Sequence, residues 1–132
     1  MNVNFIDTNI VVYSLSDDDE KRLQALKIIA TKPVISTQVL NETANTLQRK
    51  LQFTPQAIRA ILTRLIQECY VVPLHAETTL SALNIMERYR FSFYDSLIIA
   101  TALTANCTTL YSEDMQHQQW IDNKLIILNP FK

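Results

Sequence analysis

Apolar positions along the chain fall into two rhythms, short unbroken runs and longer stretches spaced three or four residues apart. Val3 to Ile6 is a short apolar run ending at Asp7, which predicts a strand, and Thr8-Asn9 open a helical turn or two through about Leu15. The acidic run Asp17-Asp18-Asp19-Glu20 precedes Leu23, Leu26, Ile28 and Ile29 at roughly helical spacing, the arrangement of a charged helix N-terminus. Pro33 ends that helix, and Val34-Ile35-Ser36 reads as a second strand. A helix from about Gln38 to Leu51 follows, with Val39, Leu40, Ala44, Leu47 and Leu51 on one face. Thr54-Pro55 supplies a cap and a first-turn proline for a helix carrying Ile58, Ile61, Leu62, Leu65 and Ile66. Cys69 to Val72 predicts a buried strand, and His75 to about Arg90 a helix with Leu80, Leu83, Ile85 and Met86. Ser92 caps a last helix whose Leu97-Ile98-Ile99-Ala100 and Ala102-Leu103 are apolar nearly all round, so it belongs inside the molecule. Asn106 stands where a C-terminal glycine is common, and asparagine tolerates the left-handed conformation needed there. Cys107 to Tyr111 and Leu125 to Leu128 complete a set of five strands.

Strands alternating with helices predict an α/β layered fold with a mainly parallel sheet. The pattern shows no repeat, linker or low-complexity stretch, so residues 1–132 read as one domain. In such a fold the active crevice lies outside the carboxyl ends of the strands. Residues just after a strand, or in the first turn of the next helix, share that edge.

Composition narrows the chemistry. The chain has 132 residues, 48% of them hydrophobic, and no glycine. Ordinary usage would give roughly nine. Phosphate loops, dinucleotide turns, EF-hand loops and nucleophile elbows all depend on glycine and are excluded. Twelve Lys+Arg against thirteen Asp+Glu leave a net charge of −1, which favours no class of partner. Cys69 and Cys107 each sit in an apolar run and read as buried free thiols of a reducing cytoplasm. His75 and His117 lack a zinc-binding context. No apolar run exceeds four residues and the N-terminus meets Asp7 too early for a signal peptide, so neither a membrane span nor export is expected.

Filtering acids by that edge leaves Asp7, Glu42, Asp95 and Glu113-Asp114, with Asp17 to Glu20 and Glu77 passing the filter but reading as structural. Each of the first group has an ordinary explanation as well. Asp7 and Asp95 fit helix caps, Glu42 a solvated helix face and Asp114 a turn. Carboxylates gathered together repel, and a hard divalent cation such as Mg²⁺ or Mn²⁺ is the economical way to hold them without histidine.

Four pieces carry a resemblance: Phe5-Ile6-Asp7-Thr8-Asn9-Ile10, Ser36-Thr37-Gln38-Val39-Leu40-Asn41-Glu42, Phe93-Tyr94-Asp95-Ser96-Leu97-Ile98-Ile99-Ala100 and Leu110-Tyr111-Ser112-Glu113-Asp114. In this order they resemble the acidic motifs of PIN-domain nucleases, and most closely VapC-type toxins of bacterial toxin–antitoxin pairs. The resemblance implies a three-layer α/β/α fold around a central, mainly parallel five-stranded sheet. It implies a metal-dependent endoribonuclease leaving a 5′-phosphate, with Asp7, Glu42, Asp95 and Asp114 catalytic and holding one or two Mg²⁺ or Mn²⁺ ions. Asn9 and Ser112 match supporting polar positions, and Glu113 stays ambiguous with its neighbour. A cognate antitoxin, a homodimer and promoter DNA bound only through the antitoxin are implied as well. The family often carries glycines near Asn106 and Gln118, and this chain has none, which bears on local loops and not on the acids.

Residues 43–67 hold Arg49, Lys50, Arg59 and Arg64 and no acid at all, and Arg88 and Arg90 precede the Asp95 segment. These six cations are candidates to grip RNA phosphates, against the plainer reading of solvated helix faces. No aromatic stacking platform stands out in the sequence. Two rivals remain: a Mg²⁺-dependent phosphohydrolase or phosphotransfer domain, though Asp7-Thr8-Asn9 lacks a second aspartate for a D-x-D motif, and a non-catalytic module whose acids receive a basic partner segment.

Overall fold

The computed structural model describes residues 3–132; the Met1-Asn2 part of the N-terminal segment, from which no leader was expected, lies outside them. In chain order the elements are β1 (Asn4–Ile6), α1 (Thr8–Tyr13), α2 (Asp19–Ile29), β2 (Val34–Ser36), α3 (Thr37–Arg49) and α4 (Pro55–Glu68). Then come β3 (Tyr70–Val72), α5 (Ala76–Tyr89), α6 (Phe93–Thr104), β4 (Thr109–Tyr111), β5 (Trp120–Ile121) and β6 (Leu125–Leu128). The sheet has six strands in the order β3-β2-β1-β4-β6-β5, parallel throughout except for the β5–β6 pair. It therefore has one strand more than the five expected. That strand is two residues long and returns through Asp122-Asn123, both at positive φ, in a tight hairpin closed by Lys124 N–H to the Ile121 carbonyl at 2.9 Å. Two left-handed residues are the signature of a type I′ turn, normally announced by Asn-Gly. Without glycine the signal is weak.

The chain leaves β1 outward through β2 to β3, then crosses back to β4 on the other side of β1. Right-handed crossovers in opposite directions place α1 to α4 on one face of the sheet and α5 with α6 on the other. Helix neighbours agree, since α1 packs on α2 and α3, α3 on α4, and α5 on α6. The result is the expected α/β fold with a mainly parallel sheet between two helical layers. Strand order reverses between β1 and β4, and at such a switch point the loops diverge and leave a crevice.

Capping residues behave as their types require. Asp18, Ser36, Thr54 and Ser92 accept N–H bonds at the starts of α2, α3, α4 and α6, so the acidic run is a helix start. Ser96 to Ala102 are all buried, which fits the all-round apolar character of α6. Two expectations about burial fail. β3 is an edge strand with Tyr70 exposed and both valines half-buried, not a buried strand. On α5 the inward stripe is Thr78, Ala82 and Ile85, while Leu80, Leu83 and Met86 face outward. Cys69 and Cys107 are both free and buried. Among the described residues no helix is long and apolar enough to cross a membrane.

Candidate active site

Asp7 follows β1 directly, and Ser112 to Asp114 follow β4, so the switch point brings their side chains together. Asp95 stands in the first turn of α6, with its N–H donating to Ser92 Oγ at 3.2 Å. Glu42 is the sixth of the thirteen residues of α3, just before its midpoint. Asp7, Asn9, Glu42, Lys50, Asp95 and Asp114 all line one open cavity of about 540 Å³. Acids from four separate parts of the sequence therefore share one hollow, with Glu113 lining it beside Asp114.

A polar lattice fixes these groups. Asp7 is only 6% exposed; Oδ1 accepts the Thr8 N–H at 2.7 Å and Oδ2 the Ser112 hydroxyl at 2.9 Å. Asp7 is thus also the cap of α1, and capping coexists with a place in the cavity because a carboxylate has spare lone pairs. Thr8 Oγ1 donates to Glu42 Oε1 at 2.6 Å, tying the first and second acidic segments together. Gln38 Nε2 donates to Glu42 Oε2 at 3.4 Å. Asn9 Nδ2 donates to Asp114 Oδ2 at 3.1 Å, while the Glu113 N–H donates to Asn9 Oδ1 at 3.1 Å. Asn9 and Ser112 are thus both hydrogen-bonded to acids of the cavity.

Burial strips water from Asp7 and pushes its carboxyl up to about 7; the Ser112 and Thr8 hydrogen bonds oppose this, and the charges of Asp95 and Glu42 add to it. Asp95 is raised as well, chiefly by burial, against the Ser92 hydroxyl and with help from Asp114 and Glu42. The four acids feel one another, and the chain supplies little to neutralise them. Among the described residues, no three His, Cys, Asp or Glu side chains are drawn close enough to complete a metal site as they are placed. The donor chemistry still fits a hard divalent ion, because every candidate ligand is oxygen and neither histidine nor cysteine lines the cavity.

Glu113 and Asp114 both line the cavity, but they differ in their partners. Glu113 receives Lys21 Nζ at 2.6 Å and the Tyr13 hydroxyl at 2.6 Å, and Lys21 also lies over the Tyr13 and Phe131 rings. Burial raises the Glu113 carboxyl, but these two donors outweigh it and leave the group lowered. Asp114, whose side chain meets only Asn9 among the bonds described, faces the cavity. The Lys21–Tyr13 clamp was not legible beforehand, since 92 residues separate Lys21 from Glu113.

Of the six candidate RNA-gripping cations, only Lys50 lines the acid cavity. Arg49 is exposed in the last turn of α3, and Arg59 stands in a groove between α3 and α4 with Pro55, Ile58 and Leu62. Arg64 pairs with Glu68 at 3.0 Å on its own helix. Arg88 is bound to Asp122 in the turn leading into the amino end of β6, away from the carboxyl edge, and Arg90 caps α5 at φ 64°.

The profile of the PIN domain family matches residues 5–120. A toxin–antitoxin complex from Klebsiella pneumoniae is similar in fold, with 20% identity, TM-score 0.73, and coverage of 96% of this chain and 97% of that one. VapC20 of Mycobacterium tuberculosis, a toxin that cleaves the sarcin-ricin loop, is 23% identical with TM-score 0.68, over 84% of this chain and 91% of its own. VapBC2 of Rickettsia felis bound to a fragment of its promoter DNA is 20% identical with TM-score 0.68, over 95% and 96%. No match was found among curated proteins. With its profile matched across nearly the whole length, the chain belongs to the PIN domain family.

Proposed function

We propose that this chain is a metal-dependent endoribonuclease and the toxin of a toxin–antitoxin pair. The observation that carries the reading is the convergence of Asp7, Glu42, Asp95 and Asp114 on one cavity at the β1/β4 switch point. Asp7 and Asp95 are the central ligands of one or two Mg²⁺ or Mn²⁺ ions, with Glu42 and Asp114 holding metal directly or through water. Bound there, such an ion makes an attacking water more acidic and neutralises charge growing on the leaving oxygen. The chain's own part is orientation. Thr8 fixes Glu42, Ser112 and the Thr8 N–H fix Asp7, and Asn9 fixes Asp114. A carboxylate of the set takes the proton from the attacking water, and Lys50 at the cavity wall is placed to hold a substrate phosphate.

Neighbouring folds that were solved as toxin–antitoxin complexes, one on promoter DNA, support a cognate antitoxin as partner and promoter binding through it. A homodimer and a cytoplasmic location complete the proposal. The test is RNA cleavage by the purified chain in Mg²⁺ or Mn²⁺, in EDTA, and after metal is restored, with a generic phosphomonoester as control. Cleavage that needs the ion and spares the monoester is expected. Equal cleavage in EDTA, or turnover of the monoester alone, overturns the reading.

A further inference from the structure

Beside the acid cavity lies a second hollow of about 370 Å³, lined by Gln38, Asn41, Asn45, Leu74, Tyr94 and Leu97. Glu42 and Asn45 stand in both walls, so the two hollows share a partition. Its chemistry is unlike that of an ordinary surface dent. Tyr94 is 63% exposed although it stands only two residues before the buried stretch of α6. Its carbonyl accepts Gln38 Nε2 at 3.2 Å, and its ring meets Phe93 edge-on at 5.3 Å. The main chain is therefore anchored while a face of the phenol ring stays open to solvent.

Asn41 and Asn45 are exposed and one helical turn apart on α3, so both amides project on the same side. Each offers a donor and an acceptor. One turn earlier, Gln38 is only 5% exposed, and its Oε1 has no hydrogen-bond partner while its Nε2 is engaged. Exchanging the amide atoms would face oxygen against two oxygen acceptors, so the orphan is the carbonyl. Leu74 and Leu97 supply the apolar floor.

We infer that this hollow is a nucleobase subsite of the same active centre. It receives the base of a nucleotide flanking the scissile phosphate, with Tyr94 stacking on the base and Asn41 and Asn45 meeting its edge. The inference rests on the nuclease reading of the acid cavity, because the shared Glu42–Asn45 wall puts phosphate and base sites side by side. A base can enter only when splayed from a helix, so the substrate is single-stranded or looped RNA. An open aromatic ring, adjacent amides and an apolar floor are the usual means of holding a splayed base.

The test measures anisotropy of labelled RNA hexamers of each base, and of hexamers with one abasic residue walked along them. Protein carries Asp7→Asn so that RNA stays intact. Adding Tyr94→Ala weakens intact hexamers about fivefold or more, the lower end of base–aromatic stacking, and Tyr94→Phe restores binding. An abasic residue at the stacking position removes the difference between Tyr94 and its alanine variant. In otherwise wild-type protein, Tyr94→Ala raises KM with kcat changed less than about twofold, and Asn41→Ala and Asn45→Ala relax base preference. Unchanged hexamer binding in Tyr94→Ala, no binding by the parent, or equal sensitivity of abasic RNA overturns the subsite. If base-dependent binding responds to Tyr94 but no metal supports cleavage, the nuclease reading fails and the base subsite stands.

Discussion

Asp7 and Asp122 occupy opposite edges of one sheet and meet opposite fates. Asp122 lies in the turn before β6, where Arg88 and the Tyr89 hydroxyl both bind its carboxylate, and these partners hold it below the usual range. Asp7 lies beyond the carboxyl end of β1, more deeply buried, and its neighbours are two hydrogen-bond donors and two further acids. Burial raises it to about 7. One edge neutralises its acid with the fold's own cations; the other buries Asp7 among further acids with no cation bonded to it, at a cost in stability once it ionises. Glu113 and Asp114 repeat the contrast in adjacent residues, the first clamped by Lys21 and the second met by Asn9. A charge that the fold leaves uncompensated is the one available to a ligand.

The sharpest test of this contrast is to remove one charge from each edge. Asp7→Asn and Asp95→Asn each keep the side-chain shape, and each lowers metal-dependent RNA cleavage by ~100-fold or more, since even outer partners of a metal site are worth 10–100-fold. Asp122→Asn leaves the cleavage rate within about twofold of wild type and instead lowers Tm. Initial rates on one RNA substrate across the three variants decide it. Activity surviving in both carboxyl-edge variants breaks the comparison.

Stability against pH separates the edges next. The folded Asp7 carboxyl, at about 7, lies above its ordinary value of 3.8. Between these values the folded state binds more protons than the unfolded one, so stability falls as pH rises and the loss is complete above pH 7. Asp7→Asn removes that penalty while leaving an acceptor for the Thr8 N–H and a donor that the Ser112 hydroxyl can rotate to accept. In metal-free buffer at pH 8 its Tm therefore exceeds wild type by about 5 °C or more, and the gap closes toward pH 4. Asp122 behaves in the opposite sense: its contribution is present above the unfolded value and disappears as pH falls through the lower folded one. Thermal scans in EDTA from pH 4 to 8 show the two signs. Mn²⁺ at pH 8 raises the wild-type Tm and does not raise that of Asp7→Asn.

How much of this was legible depends on the range of the interaction. Asp7, Glu42, Asp95 and Asp114 could be assigned to one edge because a parallel sheet converts position after a strand into position in space. Caps at Asp18, Ser36, Thr54 and Ser92 are contacts within three residues and were readable for that reason. The Lys21–Glu113 and Arg88–Asp122 pairs join distant segments, and nothing in local pattern announces them. Tyr94 was visible as a letter but not as a platform, since its exposure follows from how α6 meets α3. Leu80, Leu83 and Met86 follow helical spacing as well as Ile85 does, and only packing decides which stripe of α5 faces inward.

The adjacent pair Glu113 and Asp114 gives a smaller effect. The Lys21–Glu113 bridge is partly exposed, at 31% and 26%, and solvent screening leaves such pairs a small contribution. Lys21→Met therefore lowers Tm by about 3–5 °C or less at low salt, and the loss shrinks in high salt. Because the Glu113 N–H anchors Asn9, which in turn holds Asp114, cleavage falls as well, but less than tenfold. A loss as large as that of Asp95→Asn would make Glu113 part of the reacting centre and erase the distinction between the neighbours.

Backbone conformation extends the comparison to its finest scale. Both edges hold residues at positive φ in a chain without glycine, Asp122 and Asn123 in the β5–β6 turn and Gln118 just before β5. Asparagine and aspartate visit this region readily, whereas other side chains cost roughly 1–2 kcal/mol per residue. Gln118 is exposed, and its N–H donates to the Ile127 carbonyl at 2.7 Å, a bond that glycine keeps. Gln118→Gly relieves the strain but gains unfolded-state freedom worth about 0.5–1 kcal/mol, leaving a net stabilisation of a few tenths and a Tm rise of about 1–3 °C. Asn123→Gly and Asn106→Gly start from residues already suited to the conformation, so they give no gain or a slight loss. Calorimetry on the three variants separates these outcomes. A destabilised Gln118→Gly beside a stabilised Asn106→Gly would show that side-chain contacts, and not backbone strain, set the cost of a glycine-free turn.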